Sequence, residues 1–114
     1  MKAIQRTASC SRYADSVVHS GVARWVEVAS DASLDAAGQI QQIFNQIDQA
    51  LANWGIGRES LLEVLIFLEH LDDVPVLNAA WDSWIDSQNP PIRACVGAKL
   101  QAGLLAEFII HAAV

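Results

Sequence analysis

Alternating polar and apolar residues near the N-terminus predict two strands joined by a tight turn. The first strand is expected over residues 12–20, the turn at Ser20-Gly21 and the second strand over residues 22–29. The two-residue period gives the second strand two faces: Val22, Arg24, Val26 and Val28 on one, and Ala23, Trp25 and Glu27 on the other. Residues 1–11 show no such pattern and are expected to form a loose or edge segment.

Between residues 33 and 54 the apolar spacing changes to the three-and-four spacing of an amphipathic helix. The apolar stripe consists of Ala37, Ile40, Phe44, Ile47, Leu51 and Trp54. The opposite, polar face consists of Gln39, Gln42, Gln46, Gln49 and Asn53. Ser33 is the expected N-cap with Asp35 in the first turn, and Gly55 is the expected left-handed residue after the helix. Three heptads are too short to favour a coiled coil, so this stripe is expected to pack on a sheet.

Residues 61–68 form an almost unbroken apolar run, which predicts a central strand that is buried on both faces. Because the strand follows a helix, we expect it to be reached by a crossover connection. A second helix is expected to begin at Asp72-Asp73, with an aspartate as its cap and Pro75 in its first turn. Its apolar stripe consists of Val74, Leu77, Trp81, Trp84 and Ile85, and it must end before Pro90.

Two further strands are expected over residues 92–100 and 104–114, separated by a turn at residues 101–103. The chain stays apolar to Val114, which predicts that the last strand lies inside the sheet. The predicted order is ββαβαββ. This order indicates an α+β domain in which both helices cover one face of a mixed sheet.

The length of 114 residues fits a single domain over residues 1–114. A hydrophobic content of 53% suggests that the second face of the sheet is covered by neighbouring subunits. Neither a membrane-length apolar run nor an export signal is visible. Cys10 and Cys95 have no metal-site spacing, and the expected compartment is the reducing cytoplasm. The net charge of −6 makes nucleic acid an unexpected partner.

The sequence contains no HExxH, Walker, GxSxG or CxxC motif, so neither a metal nor a cofactor is expected. His19, His70 and His111 are scattered and are expected to be ordinary structural or surface residues. Cys95 is either a small packed residue or a nucleophile, and no sequence feature nominates a base for it.

The most informative stretch runs from Asn89 to Val96, where two prolines precede an arginine that begins a strand among apolar neighbours. The charge of Arg93 needs a partner. The guanidinium could pair with an internal carboxylate, extend into water, or bind a ligand. We expect its strand to pair with the last strand as a hairpin, so that the register decides whether Arg93 and Glu107 share a face. Together they could form a salt bridge, or hold a small acid on Arg93 and a water molecule on Glu107.

The segment Pro91-Ile92-Arg93-Ala94-Cys95-Val96 resembles the P-x-R-x-x-V signature of the reactive intermediate deaminase (Rid, YjgF/YER057c/UK114, L-PSP) family. Residues 41–55, 61–73, 77–81 and 106–109 resemble, in order, its first helix, its acidic-ended strand, its second helix and its final strand. The resemblance covers residues 12–114 and is nearest to the short YoaB-like branch.

This resemblance implies a homotrimer of chorismate-mutase-like domains with three clefts between subunits. It also implies hydrolysis of 2-imino acids to 2-keto acids and ammonia. In this assignment Arg93 binds the substrate carboxylate, Glu107 places the attacking water, and backbone groups near Cys95 contact the imine. Tyr13 corresponds loosely to a family aromatic residue, and Asn78 matches the asparagine of the second helix, although a solvated polar position explains Asn78 equally well.

Two departures from the family pattern bear on the cleft. Val26-Glu27 stands where the family has a small residue and a glycine, so a carboxylate could narrow the pocket or compete for Arg93. The turn at residues 101–103 is one residue shorter than usual, which could displace Glu107. Two alternatives to the deaminase stay open: a non-catalytic trimeric module that binds small carboxylates, and an endoribonuclease or translation inhibitor.

Overall fold

A computed structural model describes residues 3–114 and contains a six-stranded sheet and two helices. The strands are β1 (Gln5–Thr7), β2 (Ser16–His19), β3 (Val22–Val28), β4 (Leu61–Leu68), β5 (Ile92–Gly97) and β6 (Ala106–Ala113). The helices are α1 (Ala36–Asn53) and α2 (Val74–Trp84). A short 3-10 turn at Arg58–Ser60 precedes β4, and another at Leu71–Asp73 precedes α2. The predicted ββαβαββ order is confirmed, with β1 added at the N-terminal edge.

The order of the strands across the sheet is β1-β2-β3-β6-β4-β5. β4 runs parallel to β5, and β6 is antiparallel to both of its neighbours, β3 and β4. The last strand therefore lies inside the sheet, as predicted, and α1 provides the expected crossover from β3 to β4. The predicted hairpin between the last two strands is wrong, because β4 is inserted between β5 and β6.

The hairpin of β2 and β3 has the predicted turn. Ser20 and Gly21 have φ angles of 52° and 79°, and two consecutive left-handed residues give the turn whose twist suits a hairpin. The face assignments in β3 are also confirmed, since Ala23 and Trp25 are buried while Arg24 and Val26 are exposed.

α1 begins three residues later than predicted, and its N-cap is Asp35 rather than Ser33. The Asp35 carboxylate accepts a hydrogen bond of 2.8 Å from the backbone N–H of Gly38. Ser33 is already engaged, because its backbone N–H and its hydroxyl both donate to the Asp31 carboxylate. Gly55 has a φ of 72°, as expected for the residue that follows the helix.

The polar face of α1 was predicted to include Gln39, but this residue is fully buried. Its amide nitrogen donates to the carbonyl oxygens of Ala32, Leu34 and Gly103, and its amide oxygen accepts from the backbone N–H of Leu105. Gln39 thus joins the start of α1 to the loop that enters β6. Ala37, which was assigned to the apolar stripe, is exposed instead.

α2 contains Pro75 in its first turn and ends at Trp84, ahead of Pro90. Asp73 occupies the N-cap position, but its side chain makes no capping hydrogen bond. The preceding 3-10 turn at Leu71–Asp73 leads the chain into the helix instead. Neither helix within residues 3–114 has the length and apolar character needed to cross a membrane.

The two helices pack on one face of the sheet, which we call the helix face. Its core consists of Ile40, Ile43, Phe44, Ile47, Leu51, Val64, Ile66, Leu68, Leu77, Trp81, Trp84, Phe108 and Ile110. The other face, the uncovered face, presents Val26, Leu65, Phe67, Ile92, Val96 and Ile109. β4 was predicted to be buried on both faces, but in the single chain its residues on the uncovered face are only half-buried.

Candidate functional site

Arg93 lies near the start of β5, the strand at one edge of the sheet, and is paired with Val64 of β4. This register directs its side chain to the helix face, where the guanidinium carbon lies 5.1 Å from the centre of the Trp81 ring. A guanidinium over an indole is a favourable cation–π arrangement. Pro90 and Pro91 end the preceding segment, so the strand begins with Arg93 directed at α2.

Arg93 has no carboxylate partner within residues 3–114. The ion pairs of this part of the chain join Arg58 to Asp48 and His111 to Glu63, and Arg93 takes part in neither. Its side chain also donates no hydrogen bond to any described residue. Of the alternatives left open by the sequence, the internal salt bridge is therefore not observed, and the N–H donors of Arg93 are available.

Cys95 is two residues further along β5 and packs against the edge of the core. Burial raises the pKa of its thiol above the ordinary value, and the nearby charge of Arg93 opposes this only in part. A thiol with a raised pKa is a weak nucleophile at neutral pH, which favours the packing interpretation.

Asn78 lies in α2 and is half-buried. It precedes Trp81 by three residues, a spacing that puts two side chains on the same side of a helix. Arg93, Trp81 and Asn78 therefore belong to one region at the β5 edge of the helix face.

Glu107 and Tyr13 line a cavity of about 480 Å³ elsewhere in the molecule. Its lining residues are Tyr13, Ala14, Asp15, Val26, Val28, Gln101, Leu104 and Glu107. Glu107 projects from β6 between Val28 and Phe67, on the uncovered face. Two carboxylates and several apolar groups line this cavity, and the described lining includes no basic side chain.

The chain does not bring Arg93 and Glu107 together. Within β4, Val64 pairs with Arg93 of β5, whereas Phe67 pairs with Glu107 of β6. Because Val64 and Phe67 are an odd number of residues apart, they point to opposite faces of the sheet. The sequence left it to the register whether Arg93 and Glu107 share a face, and the register places them on opposite faces of one chain. The candidate residues therefore form two separate groups.

Val26 and Glu27, where the sequence departs from the family pattern, point to opposite faces of the sheet. Glu27 points to the helix face, where its carboxylate accepts hydrogen bonds from the indole N–H of Trp25 (2.9 Å) and the amide of Gln46 (3.1 Å). Burial raises the pKa of Glu27, and these two hydrogen bonds lower it by less. β6 and β4 separate its strand from that of Arg93, so Glu27 does not compete for Arg93 within the chain. Val26, by contrast, lines the cavity of Glu107.

Sequence reasoning missed a polar cluster that joins α1 to the end of α2. Arg58 binds both carboxylate oxygens of Asp48 at 2.8 and 2.9 Å and donates to the carbonyl of Trp84, whose indole N–H also donates to Asp48. The cluster borders a cavity of about 370 Å³. Because each donor nitrogen of Arg58 and the indole nitrogen of Trp84 has an internal partner, the cluster is structural. The only sequence signal for this cluster was a basic residue, Arg58, in the loop after a helix that contains an acidic residue, Asp48.

The histidines and cysteines form no metal site, since the described residues contain no group of three or more side chains able to hold an ion. His111 lies on the uncovered face with its Nδ1 atom 3.5 Å from a carboxylate oxygen of Glu63.

Comparison with known proteins identifies close relatives over the whole described chain. The family model described as endoribonuclease L-PSP matches residues 3–114. A curated relative, the RutC family protein YoaB of Escherichia coli, is 32% identical over 102 residues, which are 90% of this chain and 86% of the relative.

Solved structures show the same fold. An uncharacterised protein from Pseudomonas aeruginosa matches with a TM-score of 0.90 and 34% identity, covering 97% of this chain and 98% of that one. A YjgF family member from Neisseria meningitidis matches with a TM-score of 0.88 and 29% identity, covering 97% and 94% of the two chains.

Proposed function

The chain belongs to the Rid (YjgF/YER057c/UK114) family, in its YoaB-like branch, and on that premise we propose that it is an enamine/imine deaminase. The proposed reaction is hydrolysis of reactive 2-imino acids to 2-keto acids and ammonia. The site is proposed to lie in clefts between the subunits of a homotrimer. The observation that carries the proposal is the guanidinium of Arg93, which lies over Trp81 and has no carboxylate partner within residues 3–114.

Arg93 is suited to bind the carboxylate of the substrate. A planar guanidinium can donate two parallel hydrogen bonds to a carboxylate, which fixes the orientation of the adjacent imine carbon. The stacking on Trp81 supports the guanidinium from one side while its in-plane N–H donors stay free. Asn78 and the backbone near Cys95 are proposed as further substrate contacts in this half of the site.

Glu107 and Tyr13 are proposed to supply the other half. Glu107 accepts a proton from a water molecule while the water oxygen forms a bond to the imine carbon. Glu107 passes this proton to the nitrogen, which gives a carbinolamine with a hydroxyl and an amino group on one carbon. The hydroxyl proton is then transferred through Glu107 to the nitrogen as the C–N bond breaks, so that the carbonyl forms and ammonia leaves. The two carboxylates of the cavity suit the positive charge of a protonated imine.

Two copies of the chain are needed because Arg93 and Glu107 lie on opposite faces of one sheet. The uncovered face offers a surface for association, since Ile92 and Val96 are 70% and 45% exposed. Exposed apolar groups in such number favour burial against neighbouring subunits. A trimer in which Arg93 of one copy approaches Glu107 of the next would complete each cleft.

The proposed partners are a small 2-imino or 2-keto acid and other copies of the chain, without cofactor, membrane or nucleic acid. The proposal includes a cytoplasmic location, where a reducing environment keeps Cys10 and Cys95 as free thiols. The alternative is a trimer that binds small carboxylates in the same clefts without catalysis. Ribonuclease activity is less favoured, because a net charge of −6 repels a polyanion.

The test generates a 2-imino acid with an amino acid oxidase and traps the surviving imine with semicarbazide. Wild type is expected to reduce the trapped product, and Arg93→Ala is expected to lower kcat/KM by about 100-fold or more, because two charge-assisted hydrogen bonds are lost. Arg6→Ala, which removes an exposed arginine from the edge strand β1, is the matched control and should retain activity.

Equal trapping with and without the wild-type protein would contradict the deaminase proposal. Calorimetry with 2-keto acids would then test the binding module, which requires affinity that Arg93→Ala abolishes. RNA cleavage that survives rigorous purification and weakens as salt is raised would support the nuclease alternative instead.

A further inference from the structure

The cavity that contains Glu107 has an aliphatic wall. Val26 and Val28 of β3 and Leu104 of the loop before β6 line it, together with the ring of Tyr13. The polar lining is Asp15, Gln101 and Glu107. Binding sites that are mostly apolar, with a few placed polar groups, select the shape and polarity of the bound molecule.

We propose that this wall gives the enzyme a preference for 2-imino acids with apolar side chains, and that Val26 is the residue that sets this preference. The inference rests on the proposed deaminase function and adds the class of substrate. The inference concerns the side chain of the substrate, which takes no part in the reaction.

Val26 is the most exposed aliphatic residue of the wall. Its side chain is directed to the uncovered face, opposite Ile109 of β6, and is 51% exposed in the single chain. Glu27, its neighbour, is directed to the helix face and is held there by Trp25 and Gln46, so no carboxylate narrows the cavity from β3. The surface that β3 offers the ligand is therefore a branched hydrocarbon.

The charges of the cavity orient the substrate. Asp15 and Glu107 repel the carboxylate of a 2-imino acid, so this group must point away from them, toward Arg93 of the adjoining copy. With the carboxylate on Arg93 and the imine carbon near Glu107, the remaining substituent is the side chain. The aliphatic wall is the part of the lining left to receive it.

The size of the cavity suits a branched or aromatic side chain. Its volume of about 480 Å³ falls within the range of small-molecule pockets, about 300–1,000 Å³. Each buried methylene group is worth about a fourfold gain in affinity. A leucine-derived imine, with three more carbon atoms than the alanine-derived imine, is therefore expected to be preferred by roughly 10- to 60-fold in kcat/KM.

The experiment measures kcat/KM for imines generated from alanine, leucine, phenylalanine and glutamate. Val26→Thr keeps the shape of the side chain and replaces one methyl group by a hydroxyl group, so the ratio of kcat/KM for the leucine imine to that for the alanine imine is expected to fall by about 10-fold. Val26→Phe fills the cavity, so the leucine and phenylalanine imines should lose activity while the alanine imine is retained. Ile4→Thr is the control, because Ile4 is a β-branched residue of similar exposure (46%) outside the cavity lining.

The outcomes separate the two proposals. If wild type hydrolyses none of the imines, the deaminase function itself is overturned. If wild type hydrolyses them with equal or polar-favouring efficiency, the substrate preference is overturned and the deaminase function stands. If wild type prefers the leucine imine but both Val26 variants keep the wild-type ratios with an unchanged oligomeric mass, the assignment of this preference to Val26 is overturned.

Discussion

At the residue scale, the arrangement of Arg93 distinguishes a structural arginine from one available for binding. Arg58 uses its nitrogens on Asp48 and on the carbonyl of Trp84, so its charge is satisfied inside the chain. Both guanidinium groups lie over a tryptophan ring, and such a cation–π contact is worth about 0.5–2 kcal/mol without using any N–H donor. Arg93 differs because it has no ion-pair or hydrogen-bond partner within residues 3–114. Sequence reasoning could nominate Arg93 from its apolar neighbours, but the absence of an internal partner within residues 3–114 required the structure.

Cys95 gives a prediction at this scale. Burial raises the pKa of its thiol, which disfavours the nucleophilic thiolate, so we expect Cys95 to have no nucleophilic role. Cys95→Ala is therefore expected to keep kcat/KM within about threefold of wild type, with an unchanged alkaline limb of the pH profile. The measurement is the imine-trapping assay between pH 6 and pH 9. A loss of about 100-fold or more would point to covalent chemistry at the sulfur.

At the element scale, the start of α1 depends on which polar residue is free to cap it. Asp31 accepts two hydrogen bonds from Ser33, and these bonds lower the pKa of Asp31. The turn that they form leaves Asp35 as the residue whose carboxylate reaches the backbone N–H of Gly38. Propensity alone cannot separate Ser33 from Asp35, since both residue types are good caps.

The two candidate caps can be compared directly. Asp35→Ala is expected to lower the free energy of unfolding by about 1 kcal/mol, because an N–H at the helix start loses its partner. Ser33→Ala, at an exposed turn, should change it by less than about 0.5 kcal/mol. Urea denaturation followed by circular dichroism measures both values. Equal losses in the two variants would show that the turn, rather than the cap, determines where α1 begins.

The polar cluster of Asp48, Arg58 and Trp84 shows how elements support the site. Asp48 of α1 holds the indole of Trp84, whose ring stacks on Phe44 at 4.3 Å. The Trp81 ring packs against Trp84 at 5.7 Å and carries Arg93 on its face. The position of the guanidinium is thus linked through α2 to α1.

At the scale of the whole molecule, the two groups of candidate residues lie on opposite faces of one sheet. No rotation of side chains can bring Arg93 to Glu107 through the sheet, so a single chain holds two incomplete halves. In the proposed trimer a closed ring of copies joins them, because each copy would contribute one half to each of two neighbouring clefts. Of the exposed large apolar side chains, Val26, Ile92 and Val96 lie on the uncovered face.

Mixing two inactive variants tests this arrangement. Arg93→Ala and Glu107→Gln should each be inactive alone, with a mass about three times the 12.4 kDa of the monomer. When equal amounts are unfolded and refolded together, random trimers should regain roughly a quarter of the wild-type activity, because each mixed trimer holds one intact cleft of three. Light scattering and the imine assay provide the measurements. Absence of recovery in mixed trimers would contradict a site shared between copies.

Several features followed from the sequence alone, because their physical causes are local. The two-residue period assigned the faces of β3, the 3.6-residue period identified α1 and α2, and Ser20-Gly21 and Gly55 marked left-handed positions. The resemblance of residues 91–96 to the family signature identified the family.

Only the tertiary structure decided which elements became neighbours. The spacing of apolar residues indicates which face of an element a residue occupies, but it carries no information about which strand lies alongside. In this protein the insertion of β4 between β5 and β6 separates Arg93 from Glu107. In the same way, a glutamine on a helix looks solvated until a distant loop supplies its partners, as Gly103 and Leu105 do for Gln39. Contacts between residues far apart in the chain depend on the free energy of the whole packed domain, which no local pattern contains.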